Sequence, residues 1–169
     1  MKCNLFYDIP GLFMNYEHYT DLRFTEDYHI FMFYSNGPKG NLRKLVVYTP
    51  LQNLPDGYNL GFGTIRVGKD GNEFLDGNEI SDNGDRNKIL GTIALTAYAF
   101  TDRYPDKKIY LTGTDTTRTR LYQMAINHAY AELSKRFIIY GDIATERDKY
   151  NLQAFKKGIN YTGFLVEKR

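Results

Sequence analysis

The stretch DYHIFMFYSNGPKGNLRKLVVYTPL, residues 27–51, constrains the fold of this chain more than any other. Tyr28 to Ser35 and Asn41 to Thr49 are rich in aromatic and β-branched residues, which suit a pleated, half-buried surface. Between them, Asn36-Gly37-Pro38-Lys39-Gly40 supplies turn residues. The two runs therefore predict an antiparallel hairpin. Pro50 and Pro55-Asp56-Gly57 then break the chain, and Tyr58 to Val67 reads as a third strand. Gly61 and Gly63 weaken that strand or mark a bulge.

The pattern changes after residue 70. Asp-Gly-Asn-Glu occurs at 70–73 and again at 76–79, which raises the question of a calcium loop. An EF-hand loop needs Gly at its sixth position and Glu at its twelfth. Leu75 and Ser81 stand there instead, so the segment reads as two Asp-Gly turns around a very short strand. Two helices follow. The first begins after Asp82-Asn83 and ends before Pro105, and apolar side chains at Leu90, Ile93, Leu95, Ala97, Tyr98 and Phe100 cover more than one face. A helix this apolar is expected to be buried on most sides. The second runs from about Asp115 to Arg136, with Tyr122, Ala125, Ile126, Ala129 and Leu133 at helical spacing. Lys107–Gly113 and Phe137–Ile143 read as strands, Glu146–Lys157 as a short helix ended by Gly158, and YTGFLVEK as a last strand.

These elements predict an α+β chain: a single domain over residues 1–169, with a mixed twisted sheet, an N-terminal antiparallel hairpin and meander, and two main helices packed on the sheet. Composition narrows the functional classes. A net charge of +2 with no basic stripe argues against a dedicated nucleic-acid binder. The aromatic content of 15%, led by 15 Tyr with no Trp, fits a Tyr-rich sheet better than a base-stacking platform. A single cysteine, Cys3, excludes an internal disulfide framework and fits a reducing compartment. The longest apolar stretch, Ile89 to Phe100, is too short to span a bilayer, and the N-terminus lacks the apolar run of a signal peptide. The expected location is cytoplasmic, with no membrane partner. His18, His29 and His128 fall on separate elements without metal-ligand spacing, so neither a metal nor a cofactor is expected.

One stretch carries chemistry: LTGTDTTRTRLY, residues 111–122. If strands 107–113 and 137–142 share a sheet, the intervening helix makes them parallel, and their carboxyl ends meet on one edge. Ligands in open α/β sheets bind at such edges. Extending the same reasoning to the strand before Asn83 brings Asn83-Gly84-Asp85, Gly113 to Arg120 and Gly141-Asp142 together there. Gly113 admits a close backbone approach, and the helix start offers unpaired N–H donors. Thr114, Thr116 and Thr117 add hydroxyls, while Arg118 and Arg120 add planar forks suited to phosphate or carboxylate. Asn83 and Asp85 would orient the arginines or the ligand. Arg118 precedes Tyr122 by four residues and so faces the sheet side, where Asp85, Asp115 or Asp142 could hold it. Arg120 points to roughly the opposite face. The motif is neither a P-loop nor a dinucleotide fingerprint.

The runs ISDNGDRNKILGTIALTAYAF, YPDKKIYLTGTDTTRTRLYQMAI and FIIYGD, together with YNLGFG at 58–63, resemble a bacterial family of unknown function, domain of unknown function 6934. Its most specific parts are Asn83-Gly84-Asp85, Gly113 to Tyr122 and YNLGFG at 58–63, and Thr114 stands where the family pattern has Ser. The resemblance implies a single-domain bacterial or phage protein and brings no activity with it. Three readings of the residues stay open. In the first, the chain binds a phosphate-bearing ligand such as a nucleotide at the start of the second helix. In the second, it is a protein–protein module of toxin–antitoxin or phage–host type with a purely structural Arg118. In the third, it is an enzyme acting on a nucleotide or RNA, with Asp85 or Asp142 as general base.

Overall fold

The computed structural model describes residues 4–5, 16–77, 82–147 and 149–169. The chain is α+β, with mixed strand pairing and, among the described residues, two helices. Its residues group into two compact units, Met1–Tyr48 with Gly61–Arg103, and Thr49–Leu60 with Tyr104–Arg169. Cys3 and most of the second Asp-Gly-Asn-Glu copy lie outside the described residues.

In the first unit the strands are β1 (Asn4–Leu5), β2 (Arg23–Phe24), β3 (Ile30–Gly37), most of β4 (Gly40–Pro50), the greater part of β5 (Gly57–Val67) and β6 (Glu73–Asp76). They lie in the order β1-β2-β3-β4-β5, with β6 antiparallel beside β5. The predicted hairpin is β3–β4, paired from Ile30↔Val47 to Gly37↔Gly40. Gly40 takes the turn with φ +87°, a conformation that needs no side chain. Period-two alternation puts Phe31, Phe33 and Ser35 of β3, and Lys44, Val46 and Tyr48 of β4, on the buried side. Against them packs α1 (Arg86–Arg103), buried at Ile89, Ile93, Leu95, Ala97, Tyr98, Ala99 and Phe100. This matches the expectation of a helix covered on most sides. Tyr48 stacks on Phe100 at 4.3 Å and meets Phe31 edge-on at 5.9 Å, so one aromatic column ties helix to sheet. Gly91 lets α1 approach the chain closely, because a Cβ there would lie 2.1 Å from the Glu17 carbonyl oxygen.

In the second unit the first residues of β5 pair in parallel with β7 (Lys108–Leu111), from Gly57↔Lys108 to Asn59↔Tyr110. The last strand, β10 (Gly163–Lys168), is antiparallel to β7 on one side and to β8 (Phe137–Asp142) on the other. The strands flanking the second helix therefore run the same way, as the crossover argument requires, but β10 is inserted between them. That helix, α2 (Thr116–Arg136), passes into β8 with no intervening loop, and the Phe137 N–H closes its last turn on the Leu133 carbonyl. Only Thr119 and Ile126 of α2 are fully buried, while Tyr122, Ala125, Ala129 and Leu133 are half-buried.

Among the described residues one predicted element is absent. The segment expected to be a helix over 146–157 instead contains β9 (Leu152–Ala154), antiparallel to Tyr140–Asp142 of β8. The cause is a carboxylate. Asp142 Oδ1 accepts the N–H groups of both Ala144 and Asn151 at 2.9 Å, gathering the segment into a loop that returns it to β8 as a strand. Gly158, expected as a helix C-cap, takes a turn with φ +87°.

Candidate functional site

The start of α2 is built as the sequence implies, by a short ladder of local bonds. Thr112 Oγ1 donates to the Thr162 carbonyl at 2.7 Å, fixing the exit from β7 onto the entry to β10. The Gly113 N–H donates to Thr119 Oγ1 at 3.0 Å, and that hydroxyl in turn donates to the Asp115 carbonyl at 3.0 Å. Asp115 is the N-cap, its Oδ1 accepting the Arg118 N–H at 2.8 Å. This leaves the amides of Thr116 and Thr117 outside the ladder of the helix. Thr114, Thr116, Thr117 and Arg120 are exposed, and Arg118 is half-exposed. Arg118 Nη1 donates to Thr114 Oγ1 at 2.5 Å, which lays the guanidinium along the loop that enters the helix. Arg118 also bears on Tyr122, whose phenol is raised by burial and drawn the other way by that guanidinium. This is the face that four-residue spacing assigns to it.

Two details add to the sequence reading. Gly113 is needed by the turn itself, since a Cβ there would lie 2.3 Å from Thr119 N and 2.5 Å from Arg118 Cβ. The three candidate carboxylate partners of the Arg118 side chain have other bonds. Asp115 caps the helix backbone. Asp142, 1% exposed, accepts Tyr110 Oη at 2.9 Å on Oδ2 and two amides on Oδ1. Tyr110 is raised well above the usual phenol range by burial, reinforced by that carboxylate. Asp85 is held in the first unit, by Tyr19 and Ser35.

Asn83 and Asp85 also belong to the first unit, at the turn of the β3–β4 hairpin. Asn83 is 1% exposed, and its amide is fully engaged. Oδ1 accepts the Lys39 N–H at 2.8 Å, while Nδ2 donates to the Gly40 carbonyl and Ser35 Oγ at 3.0 Å and to the Ser35 carbonyl at 3.3 Å. It fastens the hairpin turn, and a Cβ on Gly37 would strike the Asn83 carbonyl oxygen. Asp85 stands at the N-cap position of α1, its carbonyl accepting the Ile89 N–H. Its carboxylate turns inward: Oδ2 accepts the Tyr19 hydroxyl and Ser35 Oγ at 2.6 Å, and Oδ1 is buried without a hydrogen-bond partner among the described residues.

The residues match a family model. It is that of a family of unknown function, DUF6934, and it spans residues 15–169. The chain belongs to that family. The matched span contains the segments that carry the family resemblance, among them Tyr58–Gly63, Asn83–Asp85 and Gly113–Tyr122. No curated protein and no solved structure matches the chain.

Lys44 is the residue that sequence reasoning missed. It sits in the centre of β4, 1% exposed, with Nζ donating to Thr64 Oγ1 at 2.5 Å and lying 5.8 Å from the Phe62 ring centre. Burial drives its pKa down to about 8 against the pull of Asp85, with Arg66 lowering it further and Asp76 opposing. The signal was present in RKLVVY: Lys44 shares the inward phase of Val46 and Tyr48, where a charge breaks the apolar pattern. Among the described residues, no group of three His, Cys, Asp or Glu side chains could hold a metal ion. Among those residues no helix is long and apolar enough to cross a membrane.

Proposed function

We propose that the protein binds a phosphate-bearing ligand, such as a nucleotide, at the start of α2. Support comes from one arrangement: the Arg118 fork laid on the Thr114 hydroxyl, beside the exposed Thr116 and Thr117 at a helix N-terminus. Arg118 contacts the phosphate, and the three threonines supply hydroxyl and amide donors. Arg120, two residues on and so about 200° round the helix, meets a different part of the ligand. Asp115 is an opposing charge at this end, and its capping bond to Arg118 N–H lessens that opposition. Asn83 and Asp85 are not needed for this reading, which rests on residues of the second unit. A cytoplasmic location fits such a ligand.

The test is thermal denaturation of the full chain with inorganic phosphate, nucleotides and sugar phosphates, for wild type, Arg118→Ala and Arg120→Ala. Stabilisation of wild type that Arg118→Ala abolishes supports the reading. No stabilisation by any compound, or equal stabilisation of wild type and Arg118→Ala, refutes it.

A protein-interaction role is the alternative, favoured by exposed apolar side chains on β5 and β6: Val67 at 68%, Phe74 at 49% and Leu75 at 38%. A nucleotide- or RNA-acting enzyme draws less support, because both Asp142 oxygens are already bonded, which leaves that carboxylate poorly placed to act as a base.

A further inference from the structure

Strand β6 has one open edge. Among the described residues it pairs with β5 alone, antiparallel, from Thr64↔Asp76 to Val67↔Glu73. The hairpin closes with the Gly68 N–H on the Asn72 carbonyl at 2.8 Å. Antiparallel bonds recur at every second pair, so Phe74 and Asp76 bond to β5, and the N–H and C=O of Glu73 and Leu75 point away from it. Exposed sheet edges are ordinarily protected by lysine, proline or a covering element. Glu73-Phe74-Leu75-Asp76 contains neither lysine nor proline, and Glu73, Phe74 and Leu75 are all exposed. Each carboxylate of the strand is matched by an arginine of its own chain, Glu73 by Arg43 and Asp76 by Arg66 at 3.8 Å. The edge is therefore apolar at its centre and close to neutral.

We infer that this edge is a self-association surface, on which β6 of a second copy adds antiparallel about a twofold axis at Phe74. Hydrogen-bond direction and charge together select that register. Only residues whose N–H and C=O face outward can exchange bonds across the new edge, so within β6 Glu73 and Leu75 must meet Glu73 or Leu75 of the copy. An axis at Glu73 sets two carboxylates directly opposite, which is unfavourable. An axis at Leu75 carries Glu73 past the end of the copy's strand. An axis at Phe74 places each Glu73 opposite a Leu75, and both strands use every outward group. Side chains then match on both faces. On one face the row runs Arg66, Phe74, Phe74, Arg66, with the two rings adjacent at the axis. On the other it runs Val67, Glu73, Leu75, Ile65, which carries the apolar residues of one copy on to those of the next. A stable dimer buries about 800 Å² per partner, and a strand of 4 residues covers less. The association is therefore reversible and concentration-dependent. It gives the exposed apolar side chains of β5 and β6 a definite partner, and it does not depend on the phosphate site in the second unit.

The test is sedimentation velocity and amide hydrogen exchange of the full chain, from about 10 μM to about 1 mM. Wild type should pass reversibly from monomer to dimer over that range. The Glu73 and Leu75 amides should exchange more slowly as concentration rises, and the Phe74 amide, which faces β5, should respond less. Leu75→Lys, which places a charge on the edge, should stay monomeric with Tm unchanged. In a Cys3→Ser background, oxidised Phe74→Cys should cross-link into dimers, because directly opposed residues outside the hydrogen-bonded pairs have Cα atoms about 4.5 Å apart. Glu73→Cys should not, because the two copies of that residue are diagonal neighbours about 7–8 Å apart. A monomer at every concentration, a dimer that survives Leu75→Lys, or equal cross-linking at 73 and 74 overturns the inference. Exchange at Glu73 and Leu75 that ignores concentration does so in the unmodified chain.

Discussion

Replacing Asn83 by alanine separates a structural from a ligand-binding role for a residue that the sequence presents as a site candidate. The side chain is 1% exposed, accepts one backbone N–H, and donates to two carbonyls and a hydroxyl. The contact at 3.3 Å is the weakest, so the substitution removes the equivalent of about three good hydrogen bonds, each worth about 1 kcal/mol net. The expected loss is about 3 kcal/mol, and for a chain of this length that lowers Tm by about 6–12 °C. Asn83→Asp keeps the shape and the Lys39 bond but turns a carboxylate oxygen toward the carbonyls of Ser35 and Gly40, so it should cost at least as much. The assay is urea and thermal denaturation followed by circular dichroism, with amide exchange at Lys39 as the local reporter. Asn83→Ala should leave the response to phosphate unchanged. A loss below 1 kcal/mol would refute the turn-fastening role. So would a phosphate response abolished without a change in Tm, and Asn83 would then return to the ligand.

Asp142→Ala strands one phenol and two amides, and should cost the second unit about 3–4 kcal/mol; Tyr110→Phe should cost less, and a double-mutant cycle in urea should show the two to be non-additive. Tyr48, buried and bonded to Thr96 Oγ1 at 2.8 Å, holds its proton well above the usual phenol range because of that burial. Its folded-state pKa is raised, so the stability it contributes is present below pH 10 and is lost as pH rises above it, when unfolded tyrosine ionises first. Tyr48→Phe should make the decline of urea stability between pH 9.5 and 11 shallower than in wild type. Gly113→Ala drives a Cβ against Thr119 N and should destabilise the start of α2, seen as faster exchange of the Thr119 amide, which donates to the Asp115 carbonyl at 3.1 Å.

Local chemistry was legible in the sequence, and distant pairing was not. The hairpin appeared because Asn36 to Gly40 and the flanking β-formers settle it within one stretch of chain, and α2 because Asp115 caps its own backbone three residues on. The Thr114–Arg118 contact is also local, four residues apart. Placing β10 between β7 and β8 depends on pairings between residues 21 to 59 positions apart, and no periodicity encodes them. The segment 146–157 failed for the same reason: its propensity was helical, but Asp142 captured Ala144 and Asn151 and turned it back to β8. Asn83 and Asp85 stood out as residues with a task, but their partners, Ser35, Lys39 and Tyr19, lie on elements 44 to 66 residues away.

The two helix starts show how position decides what one residue type does. Each follows a glycine, at Gly84 and Gly113, each has an aspartate at the cap position, and each lacks an acid in its first turn while carrying basic side chains there. Asp115 is exposed, so a bond to its own helix N–H is the best use of its carboxylate, worth about 1 kcal/mol. Asp85 forgoes that bond and faces inward, taking two hydroxyls instead. There it also attracts the Lys44 ammonium, against the burial that disfavours that charge. Removing the Lys44 charge should therefore weaken the inward hold on Asp85 and return the carboxylate toward the first-turn amides of α1. An Asp85 side chain still bonded to Tyr19 and Ser35 in a crystal structure of Lys44→Met would show instead that the hydroxyls alone hold it.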